Sequence, residues 1–166
     1  MSKKIVIYID MDGVLCGDPH PSKIEELCQN NKKLLKKIRR SKSHWSSIPN
    51  IFLHLPIKDG AKEAFEFISE HFESYIVSCP TRDNLTSYTH KAEWIKEHLG
   101  YDVLDRLVLT RHKDLLKSDD TTRRETYIID DRLVKGVTEY GEYHIHFGTE
   151  RYPNWDAVVN FLKTLI

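Results

Sequence analysis

Short apolar runs alternate along this chain with segments of helical spacing. The first run, Ile5–Ile9, is rich in β-branched and aromatic residues and is typical of a buried parallel strand. Four further runs have the same character: Ser74–Ser78, Arg106–Thr110, Thr126–Asp130 and Tyr143–Phe147. Because helical segments lie between several of these runs, their order predicts an α/β fold with a parallel sheet and helices on both faces.

Three of the intervening segments place their apolar residues on one helical stripe. The spacing predicts helices over Asp59–Phe72 and Lys91–Leu99. Asn154 is a suitable N-cap for a final helix. The apolar positions of that helix are Trp155, Val158, Val159, Leu162 and Leu165.

The region between Val14 and about Leu55 interrupts the strand–helix alternation. Ser22–Glu25 has the form of a capping box, which predicts a helix continuing to about Arg40. The region has no strand pattern, so we expect a small helical cap at residues 15–55, inserted after the first strand. Residues 1–14 and 56–166 then form the core that contains the sheet.

Length and charge narrow the classes of function. A chain of 166 residues suits one domain, and its 25 basic and 25 acidic residues give no global attraction to a nucleic-acid polymer or an anionic membrane. The lysine-rich face at 32–40 is interpreted as a solvated helix surface. No apolar stretch is long enough to span a bilayer. With no signal-type segment and an odd number of cysteines, we expect a cytoplasmic protein without a disulfide framework.

Two carboxylates follow the first apolar run directly. Asp10 and Asp12 are separated by one residue and followed by Gly13. Asp-Gly is also a common turn pair, so this pattern alone leaves a simple turn open. If both acids lie at the carboxyl end of a buried strand, their repulsion requires a cation, and Mg²⁺ is the natural partner for carboxylate oxygens.

Polar residues also follow the next three strands. Ser78 and Cys79 come after the second, Lys113 after the third, and Asp130 and Asp131 at the end of the fourth. Each alone has an ordinary explanation as a turn, surface or helix-start residue. Since the carboxyl ends of parallel strands meet at one edge of the sheet, together they predict a site for Mg²⁺ and a phosphoryl group.

These residue types suit hydrolysis of a phosphomonoester. Asp10 could act as the nucleophile and form an aspartyl-phosphate, while Asp12 could serve as general acid and then general base. Mg²⁺ and Lys113 would neutralise phosphoryl charge, which is the main requirement of phosphoryl transfer.

Five segments resemble a known family. Ile9–Leu15 contains the D-x-D-G-[TV] motif of haloacid dehalogenase (HAD) superfamily phosphatases and is similar to the opening motif of the 5'(3')-deoxyribonucleotidases. The order of four later segments resembles that family too: Phe52–Ala61, Trp94–Gly100, Leu107–Lys113 and Ile128–Arg132. The resemblance implies a HAD-like Rossmannoid core with a cap, and a Mg²⁺-dependent phosphatase.

The resemblance also implies roles at the matching positions. Asp10 matches the nucleophile, and Asp12 the acid/base whose backbone carbonyl binds Mg²⁺. Ser78 and Lys113 match phosphate-binding residues. Asp130 and Asp131 match the second acid pair, with Asp130 favoured as the direct metal ligand.

Some positions depart from the family or leave alternatives open. Cys79 stands where a serine is usual, and a thiol is a weak hydrogen-bond donor to phosphate. Lys117 is a weaker alternative to Lys113, and the polar segment 118–125 is additional. Trp45 and Phe52 either stack on a substrate base or pack the cap against the core.

The leading hypothesis is therefore a Mg²⁺-dependent phosphatase for nucleoside monophosphates. A phosphatase for a sugar phosphate or another small phosphomonoester is the main alternative among enzymes. A phospho-receiver-like signalling domain is the alternative from another class, but receivers carry their phosphoacceptor after a middle strand, and here the strand before Ser78 ends without an acid.

Overall fold

The computed structural model describes residues 4–118 and 124–166 of the protein. The N-terminal residues 1–3, considered above for a signal segment, lie outside the described residues. So does most of the additional polar segment, at 119–123.

Five parallel strands form one sheet. They are β1 (Lys4–Ile9), β2 (Glu73–Ser78), β3 (Leu107–Leu109), β4 (Arg124–Asp130) and β5 (His144–His146). The strand order is β3-β2-β1-β4-β5, and each neighbouring pair is parallel. The five predicted strands are confirmed. The order of the strands reverses beside β1, which is where open α/β sheets form their ligand crevice.

The helices occupy the intervals between the strands. The α-helices are α1 (Pro21–Cys28), α2 (Lys32–Arg40), α3 (Ala61–His71), α4 (Ser87–Leu99) and α5 (Trp155–Leu162). The 3₁₀ helices are Lys42–Ser47, Ile51–His54, Tyr101–Arg106, Lys113–Leu116, Val137–Tyr143 and Lys163–Leu165.

Alternation along β1 divides the core into two layers. Ile7 and Ile9 face the larger layer, which contains apolar residues of α3, α4 and α5. Val6 and Tyr8 face a smaller layer, which the 3₁₀ helix Val137–Tyr143 covers with Tyr140. Helices therefore cover both faces of the sheet, with the α-helices on one face and the 3₁₀ helix Val137–Tyr143 on the other.

The prediction of a single helix from Ser22 to about Arg40 is wrong. The N-cap is His20, whose ring nitrogen accepts from the Ser22 N–H, and Pro21 occupies the first helical position. The chain then leaves the helix at 29–31, and the Asn31 side chain accepts from the Leu34 N–H to cap α2. Asn31 favours a cap over a helix interior because its short side chain competes for backbone hydrogen bonds.

Residues 15–55 pack on the core over an apolar surface. Cys28, Ile38 and Phe52 belong to the same buried cluster as Ile7 and Ile9 of β1. No helix within residues 4–118 and 124–166 is long and apolar enough to cross a membrane.

Candidate active site

Asp10 lies immediately after β1 at the centre of the sheet. Its backbone N–H donates to the Ile129 carbonyl at 2.9 Å, so the strand pairing with β4 holds the residue in place. The chain then turns tightly, with the N–H groups of Leu15 and Cys16 both donating to the Met11 carbonyl. The Asp10 side chain is 1% exposed.

Gly13 permits the loop after β1 to approach the loop after β4. Its φ is +81°, and a Cβ at this position would lie 2.2 Å from Oδ2 of Asp131. Any side chain there would both strain the backbone and displace the Asp131 carboxylate. Glycine after the first acid pair is therefore required for the two acid pairs to meet.

Three carboxylates converge at this point. Oxygens of Asp10, Asp130 and Asp131 lie within 4.8 Å of one another. Within the described residues, neither oxygen of Asp10 nor Oδ1 of Asp131 accepts a hydrogen bond. Buried carboxylate oxygens without donors are costly unless a cation binds them, and an oxygen-only set suits a hard divalent ion. These residues fit Mg²⁺.

Lys113 partly neutralises the acids. Its Nζ lies 2.9 Å from Oδ1 of Asp10 and donates to Oδ2 of Asp130, and the side chain is 2% exposed. Burial disfavours the ammonium, but the Asp10 and Asp130 carboxylates outweigh burial and raise the pKa of Lys113. The lysine is therefore a fixed positive charge beside the proposed nucleophile.

One lysine does not satisfy both carboxylates. Burial, together with the neighbouring Asp10 carboxylate, raises the pKa of Asp130 to about 6, although Lys113 opposes this. Burial also raises the pKa of Asp131. Excess negative charge at this edge of the sheet is thus a property of the protein without a metal.

Arg132 adds a second cation beside these acids. Its guanidinium lies 3.6 Å from Oδ2 of Asp10 and 3.5 Å from Oδ1 of Asp131. Its backbone N–H donates to Oδ1 of Asp130 at 2.9 Å, which fixes the turn after β4. Because the side chain is 44% exposed, it can also reach a bound anion.

Two histidines of β5 support the loop of the second acid pair. His144 Nε2 lies 3.0 Å from the carbonyl oxygen of Asp130, and His146 Nε2 lies 3.1 Å from that of Asp131. The two rings stack with centroids 4.9 Å apart. β5 therefore holds the backbone on which both acids are carried.

Asp12 and Ser78 share a different cation. Lys91 of α4 places Nζ 2.6 Å from Oδ2 of Asp12 and donates to the Ser78 hydroxyl at 2.9 Å. Lys91 and Ser78 are both wholly buried. The carboxylate of Asp12 thus belongs to this second group and not to the three acids around Lys113.

A cavity of about 510 Å³ opens above these groups. Asp12, Asp131 and Arg132 line it together with Cys79 after β2, whose thiol donates to the Pro80 carbonyl. Trp45 and Phe52 also line it, with ring centroids 5.7 Å apart. Phe52 is 1% exposed and already covered by its neighbours, so Trp45 is the ring with accessible surface.

The structure thus brings most of the predicted residues to one edge of the sheet. Asp10, Asp130, Asp131 and Lys113 form one group, and Asp12 and Ser78 form the adjacent group around Lys91. Lys117 is exposed, and its ammonium donates to the Glu139 carbonyl, away from the acids.

Lys91 and Arg132 were not assigned a role from the sequence. Lys91 carried a signal, because with Trp94, Ile95 and His98 it completes the apolar stripe of α4, and a lysine on such a stripe must find a buried anion. For Arg132 the only sequence signal was its position directly after the second acid pair.

The fold is that of a HAD-like hydrolase. A crystal structure of a haloacid dehalogenase-like family hydrolase from Xanthomonas campestris superposes with a TM-score of 0.54 at 13% identity, covering 99% of this chain and 98% of that one. No family model matches the sequence.

Sequence relatives identify the family. A protein of Vibrio phage KVP40 named "Putative 5'(3')-deoxyribonucleotidase" is 36% identical over 161 residues, which cover 97% of this chain and 86% of the phage protein. A protein of the same name from Bordetella pertussis is 36% identical over 87 residues, covering 52% of this chain and 43% of its own. The chain therefore belongs to the 5'(3')-deoxyribonucleotidase family, which makes it a phosphomonoester hydrolase, and the predicted family and fold class are confirmed.

Proposed function

We propose that the protein is a Mg²⁺-dependent phosphatase that hydrolyses nucleoside monophosphates through an aspartyl-phosphate. The observation that carries this proposal is the buried Asp10 carboxylate, which accepts no hydrogen bond from the described residues and lies 2.9 Å from Lys113. A carboxylate oxygen can attack phosphorus, and the adjacent ammonium offsets the charge of an incoming phosphate.

The first half-reaction transfers the phosphoryl group to the protein. An Asp10 oxygen forms a bond to phosphorus as the bond from phosphorus to the nucleoside oxygen breaks. In this step Asp12 carries a proton on Oδ1 while Lys91 contacts Oδ2, and it donates that proton to the leaving oxygen, so the nucleoside departs as a neutral alcohol. Asp12 is 19% exposed and lines the cavity, which supports its access to the leaving group.

The second half-reaction returns the protein to its starting state. The Asp12 carboxylate takes a proton from water as the water oxygen bonds to phosphorus, and the bond from phosphorus to the Asp10 oxygen breaks. The products are inorganic phosphate and a free Asp10 carboxylate, and Asp12 is again protonated. One water is consumed for each ester hydrolysed.

Other residues of the site hold the phosphoryl oxygens. The Ser78 hydroxyl and the Lys113 ammonium are the proposed donors to them, and Cys79 contributes a weaker donor. Asp10, Asp130, Asp131 and the backbone carbonyl of Asp12 are the proposed ligands of Mg²⁺. Bound there, Mg²⁺ would neutralise negative charge on the phosphoryl group.

Residues 15–55 are the proposed cap, which determines the choice of substrate. Trp45 supports a nucleotide substrate, because its partly exposed ring lines the cavity and aromatic rings stack readily on bases. The cavity volume of about 510 Å³ falls within the range of small-molecule sites.

The decisive experiment is phosphate release with Mg²⁺ from all common ribo- and deoxyribonucleoside 5'- and 3'-monophosphates, beside a panel of sugar phosphates. We expect kcat/KM to be highest for nucleotides. Higher values for sugar phosphates would overturn the nucleotidase assignment. The absence of turnover with every ester would overturn the phosphatase itself.

A further inference from the structure

Lys91 is a buried cation that the chemistry proposed above does not use. It lies in the first turns of α4, and its side chain is wholly buried. Burying an ammonium costs several kcal/mol unless strong partners surround it, and a leucine or methionine would fit an apolar stripe without that cost. A lysine at this position therefore has to be explained by the groups that its ammonium contacts.

Those groups all belong to the site. Nζ lies 2.6 Å from Oδ2 of Asp12, 2.9 Å from Oγ of Ser78 and 4.4 Å from the centre of the Phe52 ring. The other oxygen of Asp12, Oδ1, accepts from the Cys16 thiol at 4.0 Å. Within the described residues, Lys91 is the one ion-pair partner of Asp12.

The two buried lysines thus divide the site between them. Lys113 contacts Asp10 and Asp130, the nucleophile and a metal-binding acid. Lys91 contacts Asp12 and Ser78, the acid/base and a phosphate-binding hydroxyl. Because the Ser78 oxygen accepts from Lys91, its own hydroxyl proton remains available to a phosphoryl oxygen.

We propose that Lys91 is a positioning residue for departure of the leaving group. It holds the Asp12 carboxyl group where the ester oxygen leaves, and it orients the Ser78 hydroxyl toward the phosphoryl group. The residue acts through Asp12 and Ser78 and not on the substrate. This inference rests on the proposed phosphatase function.

A comparison of two leaving groups distinguishes this positioning role from a purely structural role in packing. A nucleoside leaves as a poor alkoxide that requires a proton, whereas p-nitrophenolate leaves without one. Because kcat/KM reports the steps up to the departure of the leaving group, an error in placing Asp12 must lower it more for the nucleotide than for p-nitrophenyl phosphate.

The test compares Lys91→Met with the wild type on both esters. We expect kcat/KM for the nucleoside monophosphate to fall at least about 10-fold further than kcat/KM for p-nitrophenyl phosphate, consistent with the contribution of general acid catalysis. Lys91→Arg, which keeps a charged donor, should recover part of the nucleotide activity. Lys96→Met, an exposed lysine of the same helix, should change neither value.

A double variant keeps the test valid if Lys91→Met alone unfolds. Asp12→Asn with Lys91→Met removes both members of the ion pair and leaves no unpaired buried charge. We expect Lys91→Met to have no additional leaving-group effect when it is made in Asp12→Asn. Equal losses for the two esters, or the same leaving-group effect with and without Asp12, would overturn the inference. Failure of the wild type to hydrolyse either ester would instead overturn the proposed function.

Discussion

Asp10 differs from a surface aspartate in its burial and in its close contact with the buried ammonium of Lys113. A buried carboxylate is poorly solvated, so its negative charge is weakly screened at the position where phosphorus would arrive in the proposed reaction. Burial, and after it this negative charge, raises the pKa of neighbouring Asp130. The residue therefore weakens its surroundings in the resting protein, as expected for a group selected for reactivity.

Asp10→Asn should lower kcat at least about 10³-fold, because the amide keeps the shape but lacks the nucleophilic charge. The melting temperature should be unchanged or higher, since the variant removes repulsion with Asp130. Phosphate release and thermal unfolding measure the two effects. Asp105→Asn, an exposed carboxylate of the 3₁₀ helix Tyr101–Arg106, is the matched control and should leave kcat unchanged. Wild-type turnover by folded Asp10→Asn would contradict the assignment.

Trp45→Ala should raise KM for nucleoside monophosphates about 5- to 150-fold, the equivalent of a lost stacking contact of about 1–3 kcal/mol. KM for an alkyl phosphate without a base should stay constant, because that ester has no ring to stack. Steady-state kinetics on both esters measure the difference, and Trp45→Phe, which keeps an aromatic ring, should recover most of the affinity. Equal changes for the two esters would mean that Trp45 only supports the cap.

The residues whose place at the candidate site could be predicted from the sequence lie at strand ends. Asp10, Ser78 and Asp130 each follow a continuous apolar run, and a polar residue at that boundary stands out in the sequence. Lys91 lies inside a helix, where a lysine is usually a surface residue, so its burial depends on Asp12 arriving from a distant segment. The place of Lys91 on the apolar stripe of α4 indicates burial, but nothing local in the sequence indicates which residue is its partner.

Asn154 shows how one side chain sets the start of an element. Its Oδ1 accepts from the Ala157 N–H at 3.0 Å and caps α5. Asn154→Ala should cost about 1 kcal/mol of unfolding free energy, which lowers the melting temperature of a domain of this size by about 2–4 °C. Thermal unfolding followed by circular dichroism measures this shift.

Asn160 of the same helix provides the matched comparison. It is exposed within α5 and does not act as its cap, so Asn160→Ala should leave the melting temperature unchanged or slightly higher, given the better helix propensity of alanine. A decrease equal to that of Asn154→Ala would show that the cap has no special role.

Elements whose position depends on burial were predicted well from the sequence. Helix ends that depend on capping side chains were predicted less well. All five strands were found because strands buried on both faces form continuous apolar runs. α4 begins at Ser87, one turn before the predicted Lys91. The apolar pattern missed this first turn because its residues are polar. The Ser87 hydroxyl holds the turn in place by accepting from the Thr81 N–H. The break between α1 and α2 depends on the cap made by Asn31, which competes with an apolar spacing that continues through it.

The charge of the whole site predicts how metal affects stability. In the metal-free protein the pKa of Asp130 is raised to about 6 from an ordinary value near 3.8. The protonated Asp130 carboxyl group therefore stabilises the folded protein fully below about pH 3.8, and this stabilisation is lost as the pH rises through about 6. Mg²⁺ bound to the deprotonated carboxylates, as proposed, would offset the repulsion that remains.

Mg²⁺ should accordingly raise the melting temperature more at pH 7.5 than at pH 5, where protons compete for the same oxygens. Thermal unfolding at both pH values, with NaCl at matched ionic strength as the control, measures the difference. A chelator should reverse the shift and abolish turnover. An equal shift at both pH values, or the same shift with NaCl, would contradict binding at these acids.

The position of β1 at the centre of the sheet also affects how the protein folds during translation. This strand leaves the ribosome before its neighbour β4, which does not begin until Arg124. At ordinary rates of synthesis the interval is on the order of ten seconds. For that time one edge of an apolar strand has no native partner, which is the situation that favours pairing with a second nascent chain. We therefore expect the strand that carries the proposed nucleophile to be open to such pairing during translation.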